Sequence, residues 1–442
     1  MNSAIAGEQV LLRLDWAALD ESARHAWLSD LRPPEPEAEV DAIIAAVRDG
    51  GDAALLELIE RFDGARLDNM WVSEDEFAAA EKRISAGVRE ALADSVRAVE
   101  VFHAAQADLL QSASAVEPRP GVRAWRRFVP LRRAGGYVPG GRAALASSVV
   151  MLGVPAKLAG VEEMSIASPP GRDGGVTPAI LVAARMVGIS RVLKAGGAQA
   201  IAALAYGSQS VPRVDRIFGA GGAWVTAAKR AVSSDVSIDL PAGPSECVVL
   251  ADADANARWV AHDLLAQAEH GPDSVAVLVT DSAPFADAVE ACLPAAAAGL
   301  ATAADALETL HRFGRSVIVS SLPEGLKVVE AIAPEHVSVQ CAGAPELAAQ
   351  VRSAGAVFIG GWSPVAAGDY ATGTNHVLPT GGAARAWSGV GVEAFGHWVT
   401  VQEVTPEGVR ALASTVRTLA DAEGLPAHAA SVEARLLQME EG

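Results

Sequence analysis

The stretch Cys247–Val279, CVVLADADANARWVAHDLLAQAEHGPDSVAVLV, decides how this chain is read. It opens on one short apolar run, Cys247–Ala251, and closes on another, Ser274–Val279, each of strand length. Between them Val260, Ala261, Leu264, Leu265 and Ala268 recur at helical spacing. That spacing predicts an amphipathic helix over Ala255–Glu269, capped by Asp254. Strand, helix and strand in succession predict a parallel pairing. Gly271-Pro272 is expected to stop the helix, glycine in the left-handed region and proline just beyond it. Gln267 and His270 then form an i,i+3 pair on the adjoining face. An amide oxygen and an imidazole nitrogen both suit a borderline metal such as zinc. An exposed Gln and a helix-ending imidazolium would leave the same trace in the sequence.

The alternation extends on both sides. Strands are predicted at Met164–Ser168, Arg191–Lys194, Arg216–Phe218, Ser316–Val319, Val337–Gln340 and Val357–Ile359. Helices are predicted at Thr177–Val187, Ala200–Tyr206, Trp224–Val232, Ala283–Cys292, Leu322–Ala331 and Pro345–Ala354, the last with proline at its first position. Two such series lie end to end, divided near Asp239–Pro244, which predicts two α/β units with a cleft between them. Glu39–Phe62, broken at Gly50-Gly51, and Ser73–Leu110 read as helices, so residues 1–130 are expected to be mainly helical. Strand signals fade after Pro379, and a helical tail is expected from about Thr405. The expected regions are therefore 1–130, 131–244, 245–380 and 381–442.

Composition sets limits on function. The 442 residues carry a net charge of −19, which argues against nucleic acid or an anionic membrane as main partner. No apolar run approaches the roughly 20 residues of a membrane span. The N-terminus lacks a basic segment followed by an apolar core. Cys247, Cys292 and Cys341 form no CxxC pair and fit a reducing compartment. A soluble cytoplasmic enzyme is expected.

Glycine clusters stand at Gly135–Gly141, Ala195–Gln199, Phe218–Gly222 and Pro241–Ser245, where strands should end and helices begin. Free helix N–H groups at such ends attract phosphates, which favours a nucleotide cofactor over simple tight turns. None of them is a GxGxxG with a downstream acid, and none reads GxxxxGK[ST]. Ala333-Pro334-Glu335-His336 sets a carboxylate beside an imidazole at a helix–strand junction, where one could move a proton and the other activate water. A solvated Glu with a structural His is the plain alternative. Asp369 follows a glycine in an expected loop, a natural place for a metal-binding carboxylate, and His376 follows seven residues later. Glu423 and His428 offer a further acid and imidazole in the tail.

Taken together, these segments resemble histidinol dehydrogenases over nearly the whole chain. The resemblance rests on Tyr137-Val138-Pro139-Gly140-Gly141, Gly196-Gly197-Ala198-Gln199-Ala200, Pro241–Glu246, Gln267–Ser274, Pro334-Glu335-His336 and Gly368–Thr380. It implies an α/β fold of two incomplete Rossmann-like parallel-sheet domains plus small helical N- and C-terminal segments. It implies zinc (Zn2+) held by Gln267, His270, Asp369 and His428, and Glu335 and His336 as the catalytic pair. L-histidinol would be bound by Ser245, His376 and Glu423 together with the metal and catalytic residues. Tyr137, Gln199 and the position of Gly222 would contact NAD. A homodimer is implied in which the tail carries Glu423 and His428 into the other subunit's site. The implied reaction is a four-electron oxidation with two NAD+, the last step of histidine biosynthesis.

The chain departs from the family pattern in three places. Gly219-Ala220-Gly221-Gly222 replaces the usual Gly-Pro-Gly-Asn, so Gly222 stands where an Asn normally meets NAD. Ala143-Ala144-Leu145-Ala146 lacks an aromatic–proline step. Phe395-Gly396-His397-Trp398 stands where the family commonly has a Phe and a basic residue. A dehydrogenase of a sulfonated or other small polyol on the same fold is the alternative enzyme. A silent binding protein would have lost at least one ligand. His25, His103, His262, His311 and His397 are read as structural or surface residues.

Overall fold

The computed structural model describes residues 10–31, 36–111, 114–140, 144–240 and 243–441. Gly141, Ala143, Pro241 and Ala242, which belong to motifs quoted above, lie outside them. Two parallel sheets dominate. The first has five strands in the order Arg191–Lys194, Glu163–Ser168, Arg133–Tyr137, Arg216–Phe218 and Ser237–Ile238. The second has six, in the order Leu12–Asp15, Gly314–Ile318, Val275–Thr280, Glu246–Ala251, His336–Gln340 and Ala356–Ile359. Helices cover their faces, so interior strands such as Glu246–Ala251 and Val275–Thr280 are buried along their whole length. The fold is α/β, as the alternation of strands and helices predicts.

Several elements differ from the sequence reading. Leu12–Asp15 is an edge strand of the six-stranded sheet rather than part of a helical region. Val122–Pro130 pairs antiparallel with both Gly396–Val404 and Val116–Arg119, a third sheet formed by segments expected to be helical or featureless. Arg133–Tyr137, with two glycines, is a strand and not a loop. The Ala257–Ala268 helix is capped by Asn256, whose side chain accepts from the N–H groups of Arg258 and Trp259, and not by Asp254. Its stop does not use a left-handed glycine at Gly271, because the positive-φ glycines do not include it. The helix of Glu37–Leu58 does break at Gly51, where φ is 58°. The helix expected over Pro345–Ala354 shortens to Ala344–Ala348.

The tail is a helical hairpin, Pro406–Ala422 and Pro426–Glu441, turned at Gly424 with φ 70°. An Arg417–Glu433 ion pair at 2.7 Å joins its arms. Thr405 at its base bonds Gly121 of the antiparallel sheet. Among the described residues no helix is long and apolar enough to cross a membrane.

Candidate active site

The Leu322–Ile332 helix ends at Ala333 in the left-handed region, φ 51° and ψ 62°, the one non-glycine residue with positive φ among the described residues. A side chain there costs about 1 kcal/mol. The turn throws the chain through Pro334 into the strand that begins at His336. Gly355 packs against this junction; a Cβ on it would stand 2.6 Å from the Glu335 carbonyl oxygen. Glu335 and His336 are thereby held side by side at the amino end of the six-stranded sheet, both buried.

Glu335 Oε2 accepts from the Ser245 hydroxyl at 2.6 Å and from the Glu246 N–H at 3.1 Å. Ser245 Oγ in turn accepts from Gln267 Nε2 at 2.9 Å. Burial pushes the Glu335 carboxyl up to about 7 against those two donors. Burial pushes the His336 imidazole down to about 4, opposed by the charge of Asp369. His336 Nδ1 lies 3.7 Å from Glu335 Oε2 and is walled off from solvent without a hydrogen-bond partner. Near neutral pH the pair is thus a carboxyl poised to titrate beside a neutral imidazole.

Gln267 is the last-turn residue of its helix, and its amide oxygen is buried with no partner. His270 lies just past the helix end, its Nδ1 3.1 Å from the Ala266 carbonyl, which leaves Nε2 facing Asp369 Oδ2 at 3.9 Å. That gap is too long for a hydrogen bond and close to twice a zinc–donor distance of about 2.1 Å. Asp369 stands on the short helix Val365–Tyr370 rather than in the expected loop. An orphaned amide oxygen, an imidazole nitrogen and a carboxylate oxygen fit a zinc ion. Among the described residues no three His, Cys, Asp or Glu side chains gather closely enough to hold a metal. His270 and Asp369 are two such groups, and the Gln267 amide is a third candidate donor of another kind.

His376 is fixed at both ring nitrogens, Nδ1 2.9 Å from the Asp369 carbonyl and Nε2 3.1 Å from Ser148 Oγ. A cavity of about 520 Å³ opens beside His270, Asp369 and Tyr370. Glu423 and His428 are exposed on the tail hairpin. Among the described residues neither bonds to the groups just named.

A second cleft, of about 340 Å³, lies at the carboxyl end of the five-stranded sheet. It brings Tyr137, Gln199 and Gly222 together with Phe62, Asp63, Gly197 and Trp224. The Tyr137 hydroxyl accepts from the Gly197 N–H at 3.2 Å, and burial raises its pKa to about 12. Asp63 Oδ2 accepts from the Gly196 N–H at 3.1 Å and from Gln199 Nε2 at 3.2 Å. Gly222 caps the Ala223–Val232 helix without a side chain, so that helix's first N–H groups stay available to an anion. Such a lining, with helix N–H groups at its floor, is suited to a nucleotide. Asp63 and Ser148 escape sequence reading: the first sits in a helical turn far from any motif, the second inside an apolar run.

The histidinol dehydrogenase family profile matches residues 30–436. The chain belongs to the histidinol dehydrogenase family. A relative named histidinol dehydrogenase from Xanthomonas euvesicatoria is 46% identical over 430 residues, covering 96% of this chain and 98% of that protein. One from Methanothermobacter thermautotrophicus is 45% identical over 394 residues, 89% of this chain and 92% of that protein. The crystal structure of histidinol dehydrogenase from Elizabethkingia anophelis superposes with a TM-score of 0.91 at 35% identity, covering 98% of this chain and 99% of that one. As a member of this family the chain is an oxidoreductase of histidine biosynthesis, and the fold of the family is the fold described above.

Proposed function

We propose that this chain is a zinc- and NAD-dependent cytoplasmic enzyme that oxidises L-histidinol to L-histidine through L-histidinal. Gln267 Oε1, buried and unbonded beside a proton-handling Glu335–His336 pair, is the observation that carries this reading. Gln267, His270 and Asp369 would hold the metal from one subunit, and His428 would reach it from a second copy of the chain. When bound, zinc would supply a positive centre that holds and orients the imidazole and amino nitrogens of the substrate. Tyr137, Gln199 and Gly222 would hold two NAD+ molecules in turn, each of which would supply the acceptor for one hydride.

The residues do the rest. With Nδ1 of His336 closed in by protein, Nε2 is the nitrogen left to take the substrate's hydroxyl proton, and the depressed pKa keeps it unprotonated and ready. Glu335 has Oε2 occupied by Ser245 and Glu246, so Oε1 is free to take a proton from water attacking the aldehyde. His336 would return its proton to the aldehyde oxygen as the hydrate forms and take one again as the hydrate is oxidised. Ser245, His376 and, from the second copy, Glu423 would position the substrate. Exposure of Glu423 and His428, and the open cavity beside His270 and Asp369, support exchange of the tail in a homodimer.

The test counts NADH formed per L-histidinol consumed by zinc-loaded protein. Two NADH per substrate, abolished by His336→Ala, are expected. One NADH with accumulating aldehyde contradicts the role given to Glu335. No turnover, with turnover of a small hydroxy-sulfonate or polyol instead, contradicts the substrate.

A further inference from the structure

Behind the cofactor cleft lies an ion pair that none of the chemistry above uses. Lys229 and Asp239 have side chains 1% and 0% exposed and meet at 2.5 Å. Lys229 Nζ also donates to the Gly219 carbonyl at 2.7 Å. Asp239 Oδ2 accepts from the Gly219 N–H at 2.7 Å, while Oδ1 accepts from the Leu240 N–H at 2.6 Å. A single residue, Gly219, is therefore gripped at both its N–H and its C=O by opposite ends of one buried pair.

Gly219 has little freedom to be anything else. Its φ is 103°, and a Cβ on it would collide with the carbonyl oxygen of Tyr137, a wall of the cleft. Three residues on, Gly222 begins the helix whose free N–H groups face the cleft. Asp239 continues through 241–242 to Gly243, whose N–H donates to Thr380, and to Ser245 and Glu246, both bonded to Glu335. Burying two charges is expensive, and apolar residues of similar volume would pack as well. What apolar residues cannot do is fix a backbone carbonyl and N–H in direction.

We propose that Lys229 and Asp239 are positioning residues for the cofactor loop Gly219–Gly222, holding its backbone in the form that receives the dinucleotide. This rests on the reading of the cleft as the NAD site. With Asn absent at position 222, backbone groups carry more of the recognition, and their preorganisation decides affinity. The pair acts through Gly219 and Tyr137 and touches neither substrate nor metal.

Calorimetric titration with NAD+ tests this on the zinc-loaded protein, with KM measured for NAD+ and for L-histidinol. The variants are Asp239→Asn and the double replacement Lys229→Met with Asp239→Leu, which leaves no unpaired buried charge. In the double variant the Kd and KM for NAD+ should rise about tenfold, the worth of one lost ordering contribution. KM for L-histidinol, zinc content and Tm should stay near wild type. A folded double variant with unchanged NAD+ affinity, or with both KM values raised alike, overturns the proposal. If the wild-type protein itself takes up no NAD+, the reading of the cleft falls and the proposal falls with it.

Discussion

The two parallel sheets are used at opposite ends. In the five-stranded sheet Tyr137 closes a strand, and Gly196, Gly197 and Gly219 follow strands, so the cleft proposed for the cofactor sits at the carboxyl end. In the six-stranded sheet Ser245 and Glu246 open one strand, Glu335 and His336 open another, and His270 precedes a third. The carboxyl end is where open α/β sheets ordinarily take ligands, since helix N-termini gather there. The amino end offers something else: strand N–H groups without ladder partners. Glu246 N–H meets the Glu335 carboxylate in this way. On the proposed reading, one sheet supplies a cradle for phosphates, and the other a buried, donor-lined seat for a carboxyl that exchanges protons.

If the division is real, damage at one end should leave the other untouched. His336→Ala is expected to lower kcat roughly a thousandfold, within the range of a lost general base, while NAD+ affinity measured by calorimetry stays constant. A matching loss of NAD+ binding would break the comparison.

Glu335→Gln should cost nearly as much activity and yet stabilise the metal-free protein above neutral pH. Its folded pKa is raised to about 7 from the usual 4.5, so the stability it contributes is present below pH 4.5 and is lost as pH rises through 7. His336 runs the other way: its folded pKa, lowered to about 4, gives stability present above pH 6.5 and lost as pH falls toward 4. Thermal melts of wild type and Glu335→Gln should therefore coincide near pH 4.5 and separate in favour of the variant by pH 8. Coincident melts at pH 8 would show that the carboxyl is not desolvated.

The smallest effect belongs to the cofactor end. Gly222 has φ −65° and open space where a Cβ would go, so Gly222→Asn is unstrained. With its amide turned to the cleft rather than onto the helix N–H groups, it should tighten NAD+ severalfold, with KM for L-histidinol unchanged. Weaker NAD+ binding would mean that the glycine itself is needed for close approach.

What could be read in advance follows the range over which each signal acts. Strands such as Arg191–Lys194 and Arg216–Phe218 emerge residue for residue, because a buried parallel strand is a local apolar run between turn residues. Val122–Pro130, rich in arginine, is a strand because Gly396–Val404 pairs with it from far along the chain. Ala146–Ala159 is apolar all round and contains Pro155, so it shows no stripe. At the site, Ser245, Gln267 and Glu335 come together as bonded neighbours with His336 beside them, and Tyr137, Gln199 and Gly222 as walls of one cleft. Asp63 and Ser148 were invisible, since their partners Gly196, Gln199 and His376 meet them only in three dimensions.

The proposed sharing of the amino-end site between two copies of the chain, with His428 crossing from one to the other, can be measured directly. His336→Ala and His428→Ala proteins, each inactive alone, would be unfolded together, refolded with zinc and assayed with L-histidinol and NAD+. Random pairing puts one intact site in each mixed dimer, so about a quarter of wild-type activity is predicted. A mixture as inactive as its components would contradict a site shared between two chains.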